Sequence, residues 1–157
     1  MTAAATFADV GDLESLERLY RRLEEEMAPL SDLWALTDGL PEPIAGSLVS
    51  LIEDPRSVVV LGSYEGIVFG FMAATVIPTL PQGSGLEIGS IRLVFVEPEA
   101  REVGVGEAMR DLMLETLRSR GISRFDAHVL PGHRLAKNFF EQGGFSARHI
   151  VMHHDDE

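Results

Sequence analysis

Apolar residues recur every three or four positions through the first third of the chain. In "DLESLERLYRRLEEEM", Leu13, Leu16, Tyr20, Leu23 and Met27 fall on one stripe, which predicts an amphipathic helix. Asp9 or Asp12 can cap its start, and Pro29 lies just past its end. In "PEPIAGSLVSLIED", Ile44, Leu48, Leu51 and Ile52 repeat the pattern, with Pro41 and Pro43 at the start and Pro55 closing it. The period then changes. "SVVVLG" and "GIVFGFMAATVI" read as strands joined at "GSYEG", and the loop "PTLPQGSG" precedes a third strand, "LEIGSIRLVFVE". A helix follows from about Val103 to Arg120, with Val105, Ala108, Met109 and Leu112 as its buried stripe and Gly121 as its C-cap. "ISRFDAHVL" reads as a strand, "HRLAKNFFEQGG" as a short helix and "FSARHIVMHH" as a last strand; Ala3 to Phe7 admits one more. Hairpins come first, then a β-α-β unit that should be parallel and right-handed. The fold class is α/β: a mixed, mostly antiparallel central sheet with helices on both faces, in one domain over residues 1–157.

Composition narrows the chemistry. There is no cysteine among the 157 residues, so disulfides, thiolate metal sites and a covalent cysteine intermediate are excluded. Lys and Arg number 13 against 25 Asp and Glu, a formal charge of -12. That balance argues against a broad nucleic-acid surface and would draw cationic partners. The first residues, "MTAAATFADVGD", lack the basic and apolar segments of a secretory leader, and the longest apolar run, "GIVFGFMAATVIP", is interrupted by Gly and Pro. The expected location is cytoplasmic, with no membrane partner.

The segment "REVGVGEA" stands between the third strand and the helix, with glycines at 104 and 106 and Arg101 ahead of them. A helix N-terminus carries unpaired N–H donors and a partial positive charge, which suits phosphate. Glycines let a ligand approach the backbone, and Arg101 adds a forked cation. No Gly-Lys-Ser/Thr follows, so this is not a Walker loop, and the G-x-G-x-x-G fingerprint is incomplete. In its strand-to-helix setting, "VFVEPEAREVGVGEAMRDLML" resembles the cofactor-binding segment of the GNAT superfamily of N-acetyltransferases. Val96, Pro98, Arg101, Gly104 and Gly106 meet that family's V-x-P…R/Q-x-x-G-x-G/A pattern. "RLAKNFFEQGGF" resembles its later A-x-x-x-Y-x-x-x-G-F segment through Ala136, Gly144 and Phe145. The resemblance implies acetyl-CoA as co-substrate and no metal, with a parallel β-α-β cofactor cleft where the central strands splay. The pyrophosphate would rest on backbone from Arg101 through Glu102, Val103, Gly104 and Val105 to Gly106. The pantetheine arm would pair like a strand with Val94 to Val96, and Phe140 would lie beside the cofactor. Acetyl transfer to a primary amine of a small molecule or peptide would be direct, and a homodimer is admitted.

Two departures concern the chemistry. Phe140 stands where the family usually has a tyrosine that protonates the leaving thiolate, and phenylalanine has no proton to give. His133 stands where asparagine is usual. Three residues remain as candidates for acid-base work. Glu87 opens the strand before the glycine segment. His128 shares a strand face with Arg124 and Asp126, opposite Phe125, Ala127 and Val129. His133 opens the late helix. His149, His153 and His154 have no fixed ligand spacing, so no metal site is expected. The rivals are a non-catalytic acyl-CoA-binding module, which Phe140 favours, and an interaction domain that uses the cleft for a partner.

Overall fold

The computed structural model describes residues 2–156. Five strands form one sheet in the order β1-β2-β3-β4-β5. They are β1 (Ala3–Phe7), β2 (Ser57–Tyr64), β3 (Ile67–Pro78), β4 (Glu87–Val96) and β5 (Phe125–Ala127). The first three pairings are antiparallel and β4–β5 is parallel. Five helices surround them: α1 (Leu13–Met27), the single turn α2 (Trp34–Thr37), α3 (Ile44–Glu53), α4 (Val105–Ser119) and α5 (Arg134–Gln142).

Alternation along β2 explains the layers. Val59 and Leu61 face one side, where Leu16, Leu19, Tyr20 and Leu23 of α1, Trp34 of α2 and Ile44 and Leu48 of α3 pack. Val58 and Val60 face the other, against Val105, Met109, Met113 and Leu117 of α4 and Phe140 of α5. Burying these apolar stripes supplies most of the driving force, about 25 cal/mol per Å² of apolar surface. Trp34 is buried within α2, its ring centroid 6.2 Å from that of Tyr20, and the Tyr20 hydroxyl accepts a hydrogen bond from the Leu40 amide at 2.7 Å.

Two expectations need correction. The strand expected over "ISRFDAHVL" is only three residues long, and the last strand over "FSARHIVMHH" does not form. A strand is stable only with a neighbour. β5 pairs with β4 alone, and residues 146–156 are all exposed and outside the sheet. Phe145 ties the start of that segment to Phe140, with ring centroids 5.2 Å apart.

Candidate functional site

The sheet forks after Ile91. β5 pairs with Gly89, Ser90 and Ile91, and the last bond across the pair runs from the His128 amide to the Ile91 carbonyl at 3.0 Å. β4 continues alone on that side to Val96. A bulge sits at the same point. Ala74 pairs with Ile91 while Ala73 pairs with Leu93, so Arg92 is an extra residue. An inserted residue shifts the alternation by one. Before it, Gly89 and Ile91 turn their backbone groups toward β5, and the Arg124 carbonyl just ahead of that strand accepts from the Gly89 amide at 2.9 Å. After it, Leu93 and Phe95 turn inward with Glu97, whose amide donates to Phe69 at 2.8 Å. Val94 and Val96 therefore present their backbone to the fork. The sequence carries no turn residue at Arg92, so the bulge was not legible there.

The fork opens onto the start of α4. Gly104, its N-cap, has φ 93°, a left-handed conformation that L side chains enter at a cost, and it makes no side-chain cap. The amides of Val105, Gly106 and Glu107 thus belong to a helix end without a capping side chain, the usual setting for an anion. Glu102 and Val103 are exposed in the turn ahead of it. Val105 contributes only backbone, because its side chain is fully buried. Gly106 also has a packing role that its motif does not announce. A Cβ there would meet Phe139 Cε1 at 2.9 Å, so the missing side chain lets α4 and α5 close together.

Arg101 is also not free. Its Nε donates to the Val96 carbonyl at 2.8 Å, its guanidinium lies 5.5 Å from the Phe95 ring centroid, and its Nη2 is paired with Glu26 of α1. Glu26 in turn meets His133 Nε2 at 3.2 Å. Burial works to raise the Glu26 carboxyl, but the hydrogen bonds from His133 and Arg101 outweigh it and hold the group below the usual carboxylate range. The motif did not disclose this acidic partner, which sits 75 residues before Arg101. Glu26 and His133 line a cavity of about 310 Å³ with Pro29, Leu30, Gly132, Arg134 and Leu135, between the end of α1 and the start of α5.

The acid-base candidates separate clearly. Glu87 lies at the far end of β4, paired with Arg56, five residues from the bulge or roughly 17 Å along an extended strand. The structure does not bring it to the fork. His128 lies at the fork itself. Its Nε2 is 3.2 Å from the hydroxyl of Ser90, a residue 2 % exposed. His128 is an exposed residue, yet protein encloses part of its ring. That enclosure, then the charge of Arg92, holds its pKa below the usual histidine value, with Asp38 and Asp126 pulling the other way. Phe140, expected beside the cofactor, is 3 % exposed and packs edge-on between Phe139 and Phe145, so its ring serves the α4–α5 core. Among the described residues, no three His, Asp or Glu side chains are placed to hold a metal, and no helix is long and apolar enough to cross a membrane.

Known proteins share this architecture. A ribosomal-protein-alanine N-acetyltransferase from Brucella melitensis biovar Abortus 2308 superposes with a TM-score of 0.74 at 16% identity, over 99% of each chain. A predicted acetyltransferase from Clostridium acetobutylicum, solved with acetyl-CoA, gives 0.70 at 17% identity over 98% of this chain and 96% of that one. Mycothiol acetyltransferase from Beutenbergia cavernae is 34% identical over 58 residues, 37% of this chain; the match spans only 20% of that relative's length. The model of the Acetyltransferase (GNAT) family matches residues 13–145. With the forked sheet and the glycine-capped α4 lying inside that span, the chain belongs to the GNAT family of acetyltransferases.

Proposed function

We propose that this protein transfers the acetyl group of acetyl-CoA directly to a primary amine. The observation that carries the reading is the fork: a parallel pair that ends at Ile91, beside a bulge that turns the backbone of Val94 and the Val96 amide toward the gap, the Val96 carbonyl being taken by Arg101. An amide-bearing arm adds to such an edge as a strand would. The residues present fit the rest of the cofactor. The start of α4 offers amides to a diphosphate, and Arg134 and Lys137 at the start of α5 supply positive charge in an acidic chain.

Acetyl-CoA supplies a thioester: the C–N bond forms on its carbonyl carbon as the C–S bond breaks and the electron pair leaves on sulfur. The chain handles the amine's proton. In the tautomer whose Nε2–H donates to Ser90 Oγ, the Nδ1 lone pair of His128 is left to accept it. Its lowered pKa keeps the imidazole neutral, and so basic, at neutral pH. Phe140 cannot protonate the departing sulfur, and His133, held by Glu26 at 3.2 Å, is the imidazole that lines the cavity.

The acceptor class is open to test. The ribosomal-protein-alanine N-acetyltransferase shares its fold with this chain and suggests a peptide amine; a small-molecule amine is the other class to test. A thiol-release assay with acetyl-CoA across an amine panel tests the reading, alongside calorimetry of acetyl-CoA binding. Binding without release by native protein would replace it with the acyl-CoA-binding module. No binding would replace both with an interaction domain.

A further inference from the structure

Asp126 lies on β5, two residues before His128, on the face opposite Phe125 and Ala127, which pack against the α4 layer. The apolar core beneath α1–α3 draws on β2, β3 and β4 and on no residue of β5, and His128 next along the chain is exposed. The Asp126 side chain is only 19% exposed, yet its partner comes from an exposed segment. Arg148 donates from Nε to Oδ1 at 2.7 Å and from Nη2 to Oδ2 at 2.5 Å, and its own side chain is 62% exposed. Every residue from 146 to 156 is exposed, with Ile150, Val151 and Met152 at 69%, 79% and 88%. This forked pair is a contact the tail makes at the edge of the site, and the cation it brings there is of the kind an amine acceptor would carry.

Resting on the acetyltransferase reading, we propose that Asp126 is a specificity residue that binds a second cation of the acceptor, and that Arg148 occupies that position until the acceptor displaces it. Strand geometry sets the spacing. Residues two apart on one face are separated by roughly 7 Å, a gap spanned by a linker of about four or five methylenes. One ammonium then rests on Asp126 while the other end attacks as the neutral amine and passes one of its two N–H protons to His128, keeping the other in the amide. Arg124, the next residue outward by alternation, opposes a third cation with its own charge. The acceptor class is therefore a dication: an aliphatic diamine, or a basic side chain near a free amino group.

The test compares butylamine with 1,4-diaminobutane and 1,5-diaminopentane in the thiol-release assay, using native, Asp126→Asn and Arg148→Ala proteins. Native protein should favour a diamine over butylamine at least tenfold in kcat/KM. Asp126→Asn should erase that preference, mainly through a higher diamine KM. Arg148→Ala should lower the diamine KM severalfold, because the tethered competitor is gone. Circular dichroism and acetyl-CoA calorimetry establish that each variant folds and binds the cofactor. An unchanged diamine-to-monoamine ratio in Asp126→Asn overturns the proposal. If no amine turns over, the acetyltransferase reading fails by itself, and calorimetry of 1,5-diaminopentane with the CoA-loaded proteins still reads the subsite. Binding lost in Asp126→Asn and tightened in Arg148→Ala sustains it; equal binding, or none to native protein, overturns it.

Discussion

Substituting Gly106 by alanine should show that this glycine serves helix packing. The new Cβ would lie 2.9 Å from Phe139 Cε1 and 3.4 Å from Cζ. The ring cannot swing away freely. Arg110 lies over it at 4.6 Å and donates to the Phe139 carbonyl at 2.8 Å, and Phe140 packs edge-on at 5.0 Å. Overpacking of this kind costs about 1–3 kcal/mol, while alanine gains up to about 1 kcal/mol over glycine within a helix. The net change should be a loss of about 0–2 kcal/mol, or up to about 8 °C in Tm at 2–4 °C per kcal/mol. In a Phe139→Leu background the opposing ring atoms are gone. There the same substitution should stabilise the protein by about 0.5–1 kcal/mol. Urea unfolding of the four proteins gives the coupling, expected to equal the overpacking cost of about 1–3 kcal/mol. A coupling below about 0.5 kcal/mol, the scatter of independent sites, would refute the packing argument. Gly104→Ala is the contrast. Its Cβ has space, with Ala3 Cβ nearest at 3.6 Å, but φ 93° costs about 1–2 kcal/mol whatever stands at 139.

Arg92→Ala should move the acid limb of kcat/KM to higher pH: activity needs neutral His128, the Arg92 charge opposes its protonation, and removing that charge raises the pKa. A limb that stays in place would remove His128 as the group seen in the profile. Glu26→Gln should tighten acetyl-CoA binding by about 1 kcal/mol, the upper range for an ion pair near a surface, because Arg101 loses its competing carboxylate; calorimetry showing weaker binding would instead make Glu26 a support for the cofactor. Phe140→Tyr should lower stability by about 1–3 kcal/mol, since its hydroxyl enters a site 3 % exposed. An unchanged urea midpoint would mean that the hydroxyl finds a partner or solvent.

The helical stripe of α1, the β-branched runs of β2 to β4 and the glycines at 104 and 106 are local patterns, and local patterns fix element type and the place of the α4 turn. From them the fold class, the layer order and the family resemblance were legible. Partners distant in the chain were not. Nothing around Arg101 announces Glu26, nothing around Gly106 announces Phe139, and only β5 shows that Glu87 stands at the wrong end of β4. The bulge at Arg92 depends on how β3 and β4 come into register, a property of two strands together. The alternation in "FSARHIVMHH" promised a strand on the same local grounds that succeeded elsewhere, but a strand also requires an edge to receive it, and β5 ends after three residues. Local periodicity determined what each segment is. Only the assembled sheet decided which polar groups meet, because their pairing depends on separations of tens of residues that no local pattern encodes.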